Sequence, residues 1–161
     1  MSPGDEQKAE DGELSYAERG IRRLRAEGFK LTSQRRAVLE LLDDSREHWT
    51  AKQIYRALEP TLASLSLTTV YNTLELLKSQ GLVDEVVTDE GETFFDPNAT
   101  PHHHAVCREC GGIFDIDVDG EALRDLAEGA DLSDGEERGF EIRDVSVLFR
   151  GLCEGCGESV R

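Results

Sequence analysis

Apolar residues follow two rhythms along this chain, and the change comes near residue 82. Before it the spacing is helical. Ser15 predicts a cap for a helix over Tyr16 to Glu27, with Ile21 and Leu24 on one face and Gly28 as its stop. Arg19, Arg22, Arg23 and Arg25 fill its other sides. Thr32 caps a second helix through Leu42 that buries Val38, Leu39, Leu41 and Leu42, and Thr50 with Gln53 forms a capping box for a third, ending before Pro60. Ser66 opens a fourth, in which Val70, Leu74 and Leu77 recur at i, i+4 and i+7 and face inward. Thr68, Thr69, Tyr71, Asn72 and Glu75 are then left outward, and Gly81 ends the helix.

From there the pattern shortens. Leu82 to Thr88 and Thr93 to Asp96 flank the turn residues Asp89-Glu90-Gly91-Glu92, which predicts a β-hairpin. Helices closed by such a hairpin describe a winged helix-turn-helix over residues 15–96, preceded by a disordered acidic segment, 1–14. Pro97 to Pro101 reads as a linker. Beyond it Ala105-Val106, Ile113 to Val118, a helix over Glu121 to Glu128, and Val145 to Phe149 predict a small α+β domain over residues 102–161. Its apolar residues are too few for a core alone to hold it firmly.

The fourth helix offers hydroxyls for phosphates, Asn72 for bidentate pairing with adenine and Tyr71 for thymine methyls, as a helix in the major groove would. Charge first argues against DNA, with 34 acidic residues against 18 basic and a net charge of -16. The average conceals a division. Residues 86–161 carry 19 acids and 6 bases, whereas residues 19–85 carry 9 and 11. Seven Arg or Lys lie between Arg19 and Arg36 against Glu27 alone, so Arg19, Arg22 and Arg23 join Ser66, Thr68, Thr69, Tyr71 and Asn72 as candidate DNA contacts. The acidity and the preference for Arg over Lys suit a salt-rich cytoplasm. No apolar run reaches the roughly 18 residues of a membrane span and no export signal is visible, so the expected location is cytoplasmic.

All four cysteines lie in the second half, as Cys107-Arg-Glu-Cys110 and Cys153-Glu-Gly-Cys156. Two such knuckles predict a tetrahedral structural Zn²⁺ site with no open position, each bent at a glycine, Gly111 and Gly157. Disulfides and a redox pair are the competing readings. His102 and His104 project to one side of an extended segment and can chelate an ion, while His103 points away. His48, Asp96 and Asp115 are further donors, and imidazoles mixed with carboxylates suit Fe²⁺, Mn²⁺ or Zn²⁺. Spacing does not establish that the five converge; singly, His48 reads as a loop residue, Asp96 as a turn former and Asp115 as a solvated strand residue.

The stretches LTSQRRAVLELL (31–42), HWTAKQIYRAL (48–58), SLTTVYNTLELLKSQGLV (66–83), HHHAVCREC (102–110) and GLCEGC (151–156) together resemble the ferric uptake regulator family of metal-dependent repressors, from about Ser15 to Cys156. The acidic first dozen residues depart from the family pattern. The resemblance implies a homodimer in which the C-terminal α+β domain dimerises, a double-stranded DNA operator as partner, and no enzymatic activity. It implies structural Zn²⁺ on Cys107, Cys110, Cys153 and Cys156, and a regulatory Fe²⁺ or Mn²⁺ between the domains. The regulatory site of the peroxide-sensing branch is matched, position by position, by His48, Asp96, His102, His104 and Asp115. Both carboxylates are aspartate, where iron-sensing members tend to carry glutamate. In that branch peroxide reacts with bound Fe²⁺ and oxidises a histidine ligand, by position His48 or His102. Iron, zinc or manganese homeostasis are the rivals within the family, and His103 is open as part of a further site. A zinc hydrolase or nucleobase deaminase fits poorly: His102 is followed at +2 by His104 in place of Glu, and neither CxxC follows proline. A protein-interaction zinc module would leave the wing, Tyr71 and the arginines unexplained.

Overall fold

In the computed structural model of the chain, the described residues are 14–45, 47–88, 91–98, 100, 102–130, 142 and 145–157. They fall into two compact units, divided between residues 99 and 100. The acidic N-terminal segment up to residue 13, the hairpin-turn residues 89 and 90, and Pro101 in the linker lie outside the described residues.

The first unit begins with α1 (Tyr16–Ala26), where Ser15 and Glu18 make a reciprocal capping box. The helix stops one residue before Glu27, its C-cap, and Gly28 follows at a φ of +78°. Next comes α2 (Ser33–Ser45), whose Thr32 hydroxyl accepts from the Arg35 N–H at 3.2 Å. It runs a turn beyond the Leu42 expected from sequence. That turn carries Asp43, whose carboxylate accepts the Tyr16 N–H at 3.0 Å, a tertiary contact that no local period reveals. The Thr50–Gln53 capping box opens α3 (Ala51–Leu58), and Ser66 caps α4 (Leu67–Ser79).

Gly20 lets α1 lie tightly on α2, because a Cβ there would stand 2.6 Å from Leu39 Cδ2. Leu24, Val38, Leu39, Leu42, Ile54, Val70, Leu74 and Leu77 are fully buried together. Each contributes about 1.5 to 3 kcal/mol by leaving water. Leu41, expected inside, is half-buried at the edge of this cluster.

The hairpin pairs β1 (Asp84–Val87) with β2 (Thr93–Asp96), setting Asp84 opposite Asp96 and Val87 opposite Thr93. Its first strand starts later than the expected Leu82. The Leu82 N–H donates to the Leu77 carbonyl to close α4, and the Leu82 carbonyl accepts from the Tyr16 hydroxyl, so neither group is left for the ladder. Phe95 of β2 exchanges both backbone hydrogen bonds with Trp49 and fills the core beneath. Helices plus hairpin make a winged helix-turn-helix.

The second unit is a three-stranded sheet with β3 (His103–Cys107) in the centre, antiparallel to β4 (Ile113–Ile116) and parallel to β5 (Leu148–Gly151). Between β4 and β5 runs α5 (Gly120–Glu128), capped by Asp119; α6 (Glu154–Gly157) follows β5. The fold is therefore α+β. The central strand is longer than the expected Ala105-Val106, and β4 ends at Ile116 before the cap of α5. β5 starts at Leu148 and not at the expected Val145; just before it the Val147 N–H is taken by the His103 ring, at 3.3 Å from Nδ1. Among the described residues of this unit, only His103, His104 and Cys107 are buried, and α5 buries none. That core is too thin to hold the unit by apolar burial.

Candidate metal centres and nucleic-acid interface

The parallel pairing of β3 with β5 sets Cys107 beside Gly151, which brings together two knuckles about forty residues apart in the chain. The first knuckle turns at Gly111, whose φ is +70° and whose N–H returns to the Cys107 carbonyl at 2.9 Å. The second turns differently from the sequence expectation. Gly157 does not share the left-handed conformation; it ends α6, and its N–H donates to the Cys153 carbonyl at 2.8 Å. The bend is made by the helical turn itself, so a glycine is not required there for its φ.

The four Sγ atoms lie within 4.8 Å of one another, and Cys110 Sγ stands 3.8 Å from Cys153 Sγ. A tetrahedron with Zn–S bonds of about 2.3 Å needs sulfurs about 3.8 Å apart, whereas a disulfide needs about 2.05 Å. The donor set and the spacing fit Zn²⁺. Backbone N–H groups of Cys110 and Cys153 hold the Cys107 thiol down at about 6, while shared hydrogen bonding with the Cys153 and Cys107 sulfurs pushes Cys156 up to about 12. Four sulfurs so close cannot all become thiolates without a compensating cation.

Each unit also carries imidazole and carboxylate donors of its own. In the first, the Trp49–Phe95 bridge puts His48 alongside Asp96, with Nε2 3.6 Å from Oδ2. The Asp96 side chain is 1% exposed, and its Oδ1 accepts the Asn98 N–H at 2.8 Å, which fixes the carboxylate. In the second unit, strand alternation places His102 and His104 on one face, and the β3–β4 ladder sets Asp115 opposite His104. Asp115 Oδ1 is 3.4 Å from His102 Nε2 and 3.9 Å from His104 Nε2.

These separations of 3.4 to 3.9 Å exceed a good hydrogen bond. Neighbouring ligands about 2.1 Å from one ion stand about 3 to 3.6 Å apart, so the 3.4 and 3.6 Å pairs match the ligand spacing of a divalent Fe²⁺, Mn²⁺ or Zn²⁺, and the 3.9 Å pair of His104 with Asp115 lies slightly beyond it. His102 Nδ1 lies 2.7 Å from the Thr100 carbonyl, which can only accept. The ring proton therefore sits on Nδ1 and Nε2 keeps the lone pair a metal needs. His103 points to the other face and accepts the Val147 N–H, so it serves as a strut for the strand beside it.

On the first unit, α4 exposes Thr68, Tyr71, Asn72 and Glu75, as its period predicts. Thr69 is half-buried, and its hydroxyl lies 2.8 Å from that of Ser66, which accepts the Thr69 N–H. These two hydroxyls thus shape the helix N-terminus, where free backbone N–H groups favour a phosphate. On α1, Arg22 is exposed, Arg19 donates to the Leu14 carbonyl at 2.7 Å, and Arg23 lies 4.0 Å from Glu27. Lys78 at the end of α4 pairs with Glu85 on β1, joining the helix to the wing. Sequence reasoning missed Tyr16 beyond its place as a helix start, since its hydroxyl partner lies 66 residues away.

Residues 26–150 match the ferric uptake regulator family. The chain is 40% identical over 140 residues to a peroxide-responsive repressor PerR from Staphylococcus aureus, covering 86% of this chain and 90% of the relative. It is 34% identical over 136 residues to the peroxide operon regulator of Bacillus subtilis, covering 84% and 89%. Among solved structures, the fold is similar to the ferric uptake regulator of Helicobacter pylori, with a TM-score of 0.69 at 20% identity over 88% of this chain and 91% of the other. PerR from Streptococcus pyogenes, a structure described as a basis for peroxide sensing and gene regulation, matches at 32% identity with a TM-score of 0.51, covering 89% and 94%. With the family match spanning most of the chain and joined by its two sets of metal donors, this protein belongs to the ferric uptake regulator family.

Proposed function

We propose that the chain is a metal-dependent, DNA-binding repressor that responds to peroxide, a regulator and not an enzyme, acting in the cytoplasm as a homodimer. The observation that carries the reading is the donor chemistry: His48 with Asp96 in one unit, and His102 and His104 with Asp115 in the other. Both carboxylates are aspartate, and relatives at 34% and 40% identity are named as peroxide regulators.

In this reading one ion joins the two half-sites and so favours the arrangement of the two units that lets both ligate it. It can shift that equilibrium only by the difference in its affinity for the two states. Operator binding then tightens metal binding by the same factor. Bound Fe²⁺ supplies the redox chemistry that lets peroxide deliver one oxygen to an imidazole, with water leaving. His48 or His102, once oxidised, would be a weaker donor, and the two half-sites would no longer be joined.

The recognition surface is α4 with Ser66, Thr68, Thr69, Tyr71 and Asn72, supported by Arg19, Arg22 and Arg23 on α1 for phosphates. The dimer face is supported by Phe114 and Phe149, which flank Ala105 across the sheet and are exposed, and by exposed Leu126 and Leu152. A structural Zn²⁺ on Cys107, Cys110, Cys153 and Cys156 holds the sheet that carries Phe114 and Phe149.

The test is anaerobic loading with Fe²⁺, addition of one equivalent of peroxide, and peptide mass spectrometry beside an operator-binding assay. One added oxygen on His48 or His102, with loss of operator affinity, is the expected result. Retained affinity with unmodified histidines would transfer the protein to iron sensing, and a response to Zn²⁺ alone would make it a zinc sensor.

A further inference from the structure

Tyr16 opens α1 and is almost completely buried, yet it is used by none of the donor sets above. Its hydroxyl donates to the Leu82 carbonyl at 2.9 Å, across 66 residues of chain. Its backbone N–H donates to Asp43 at 3.0 Å, so the residue is held at two points. Leu82 lies two residues before Asp84, and Asp84 is the rung partner of Asp96 in the β1–β2 ladder. The neighbouring rung residue, Phe95, is locked to Trp49, which places His48. The phenol therefore fastens the root of the wing on the strand pair that ends at Asp96.

We infer that Tyr16 is a positioning residue for the metal half-site of the first unit, acting through the Leu82 carbonyl to hold the β1–β2 root that presents Asp96 beside His48. This rests on the function proposed above and adds to it a physical link between the arginine-bearing helix α1 and the metal ligands. The electrostatics agree with this placement: the Tyr16 phenol is held protonated above its usual range by burial and then by the charges of Asp96 and Asp43. A protonated phenol is a lasting donor to the Leu82 carbonyl.

A ligand carboxylate contributes its full affinity only if it is already in place when the ion arrives. Loss of the hydroxyl leaves a carbonyl at the wing root without this donor and loosens the strand that carries Asp96. Packing alone does not substitute, because Tyr16→Phe keeps the ring.

The experiment compares full-length wild type, Tyr16→Phe and Ile54→Val, all with their cysteine zinc in place. Ile54 lies in the same core and its side chain forms no hydrogen bond, so Ile54→Val controls for general loosening of packing. Mn²⁺ affinity is read by chelator competition and by fluorescence of Trp49, the single tryptophan, which adjoins His48. Tyr16→Phe is expected to weaken Mn²⁺ binding about fivefold, the size of one lost buried hydrogen bond, and to alter the Mn²⁺ paramagnetic resonance spectrum. Ile54→Val should leave both unchanged.

Equal Mn²⁺ affinity in Tyr16→Phe and wild type, or an equal loss in Ile54→Val, overturns the inference while leaving the proposed function intact. If instead wild type holds no Mn²⁺, or His48→Ala and His102→Ala bind it as wild type does, the proposed function itself fails and the positioning role falls with it.

Discussion

His104 and Asp115 occupy one rung of the β3–β4 ladder, and their side chains approach to 3.9 Å between Nε2 and Oδ1. Opposed residues on a ladder share a face, so the pairing register aims both at the same point. Asp115 is about half exposed in its side chain, the one strongly exposed member of the donor set. Asp115→Asn keeps the shape and removes the charge. Mn²⁺ affinity should fall by at least about tenfold, in line with losing one charged ligand, while zinc content remains at one per chain. Isothermal titration with metal analysis of the same sample checks both quantities. An unchanged affinity would take Asp115 out of the ligand set.

Removal of the cysteine-bound metal should act on one unit more than on the other. The first unit has a core of fully buried Leu, Ile and Val, whereas Cys107 is the sole buried apolar residue described in the second. Structural zinc contributes roughly 10 to 16 kcal/mol of apparent binding energy, more than that sheet can obtain from burial. Cys107→Ser, or a strong chelator, should abolish amide protection in β3 to β5 and leave α1 to α4 protected in hydrogen exchange. Uniform loss across both units would show that zinc does not act locally.

DNA substitutions should separate into two behaviours. Tyr71→Ala and Asn72→Ala remove exposed groups from α4 and should cost about 1 to 3 kcal/mol of discrimination between the operator and a scrambled duplex. Arg23→Ala should weaken both duplexes alike and lower the salt slope by about 1. Binding titrations at several potassium chloride concentrations distinguish them. Operator preference that survives both α4 substitutions would remove the recognition role from that helix.

Gly20→Ala tests how closely α1 sits on α2. The new methyl would meet Leu39, a fully buried side chain, at 2.6 Å from Cδ2. The gain in helix propensity is about 0.5 to 1 kcal/mol, and overpacking costs about 1 to 3 kcal/mol, so the net effect is destabilising. Urea denaturation should show a lower midpoint. A midpoint at or above wild type would mean that Leu39 turns aside freely.

Capping explains why so much of the first unit was legible in the residues alone. Ser15 with Glu18 and Thr50 with Gln53 are reciprocal pairs three residues apart, and Ser66 caps its helix by the same short reach. Where the boundaries departed from the local pattern, a distant group was responsible. Asp43 receives Tyr16 and lengthens α2; the Tyr16 hydroxyl takes the Leu82 carbonyl and shortens the first wing strand; the His103 ring takes the Val147 N–H just before β5.

Caps, hydrophobic periods and CxxC turns act over a few residues, so the winged-helix pattern, the two cysteine knuckles and the types of donor available were legible in local runs of residues. Long-range pairing was needed to set Trp49 against Phe95, Cys107 beside Gly151, and the His103 ring against the Val147 N–H. Those outcomes depend on strand register, which is set by burial and backbone hydrogen bonding over the whole sheet, and no local run of residues carries that information.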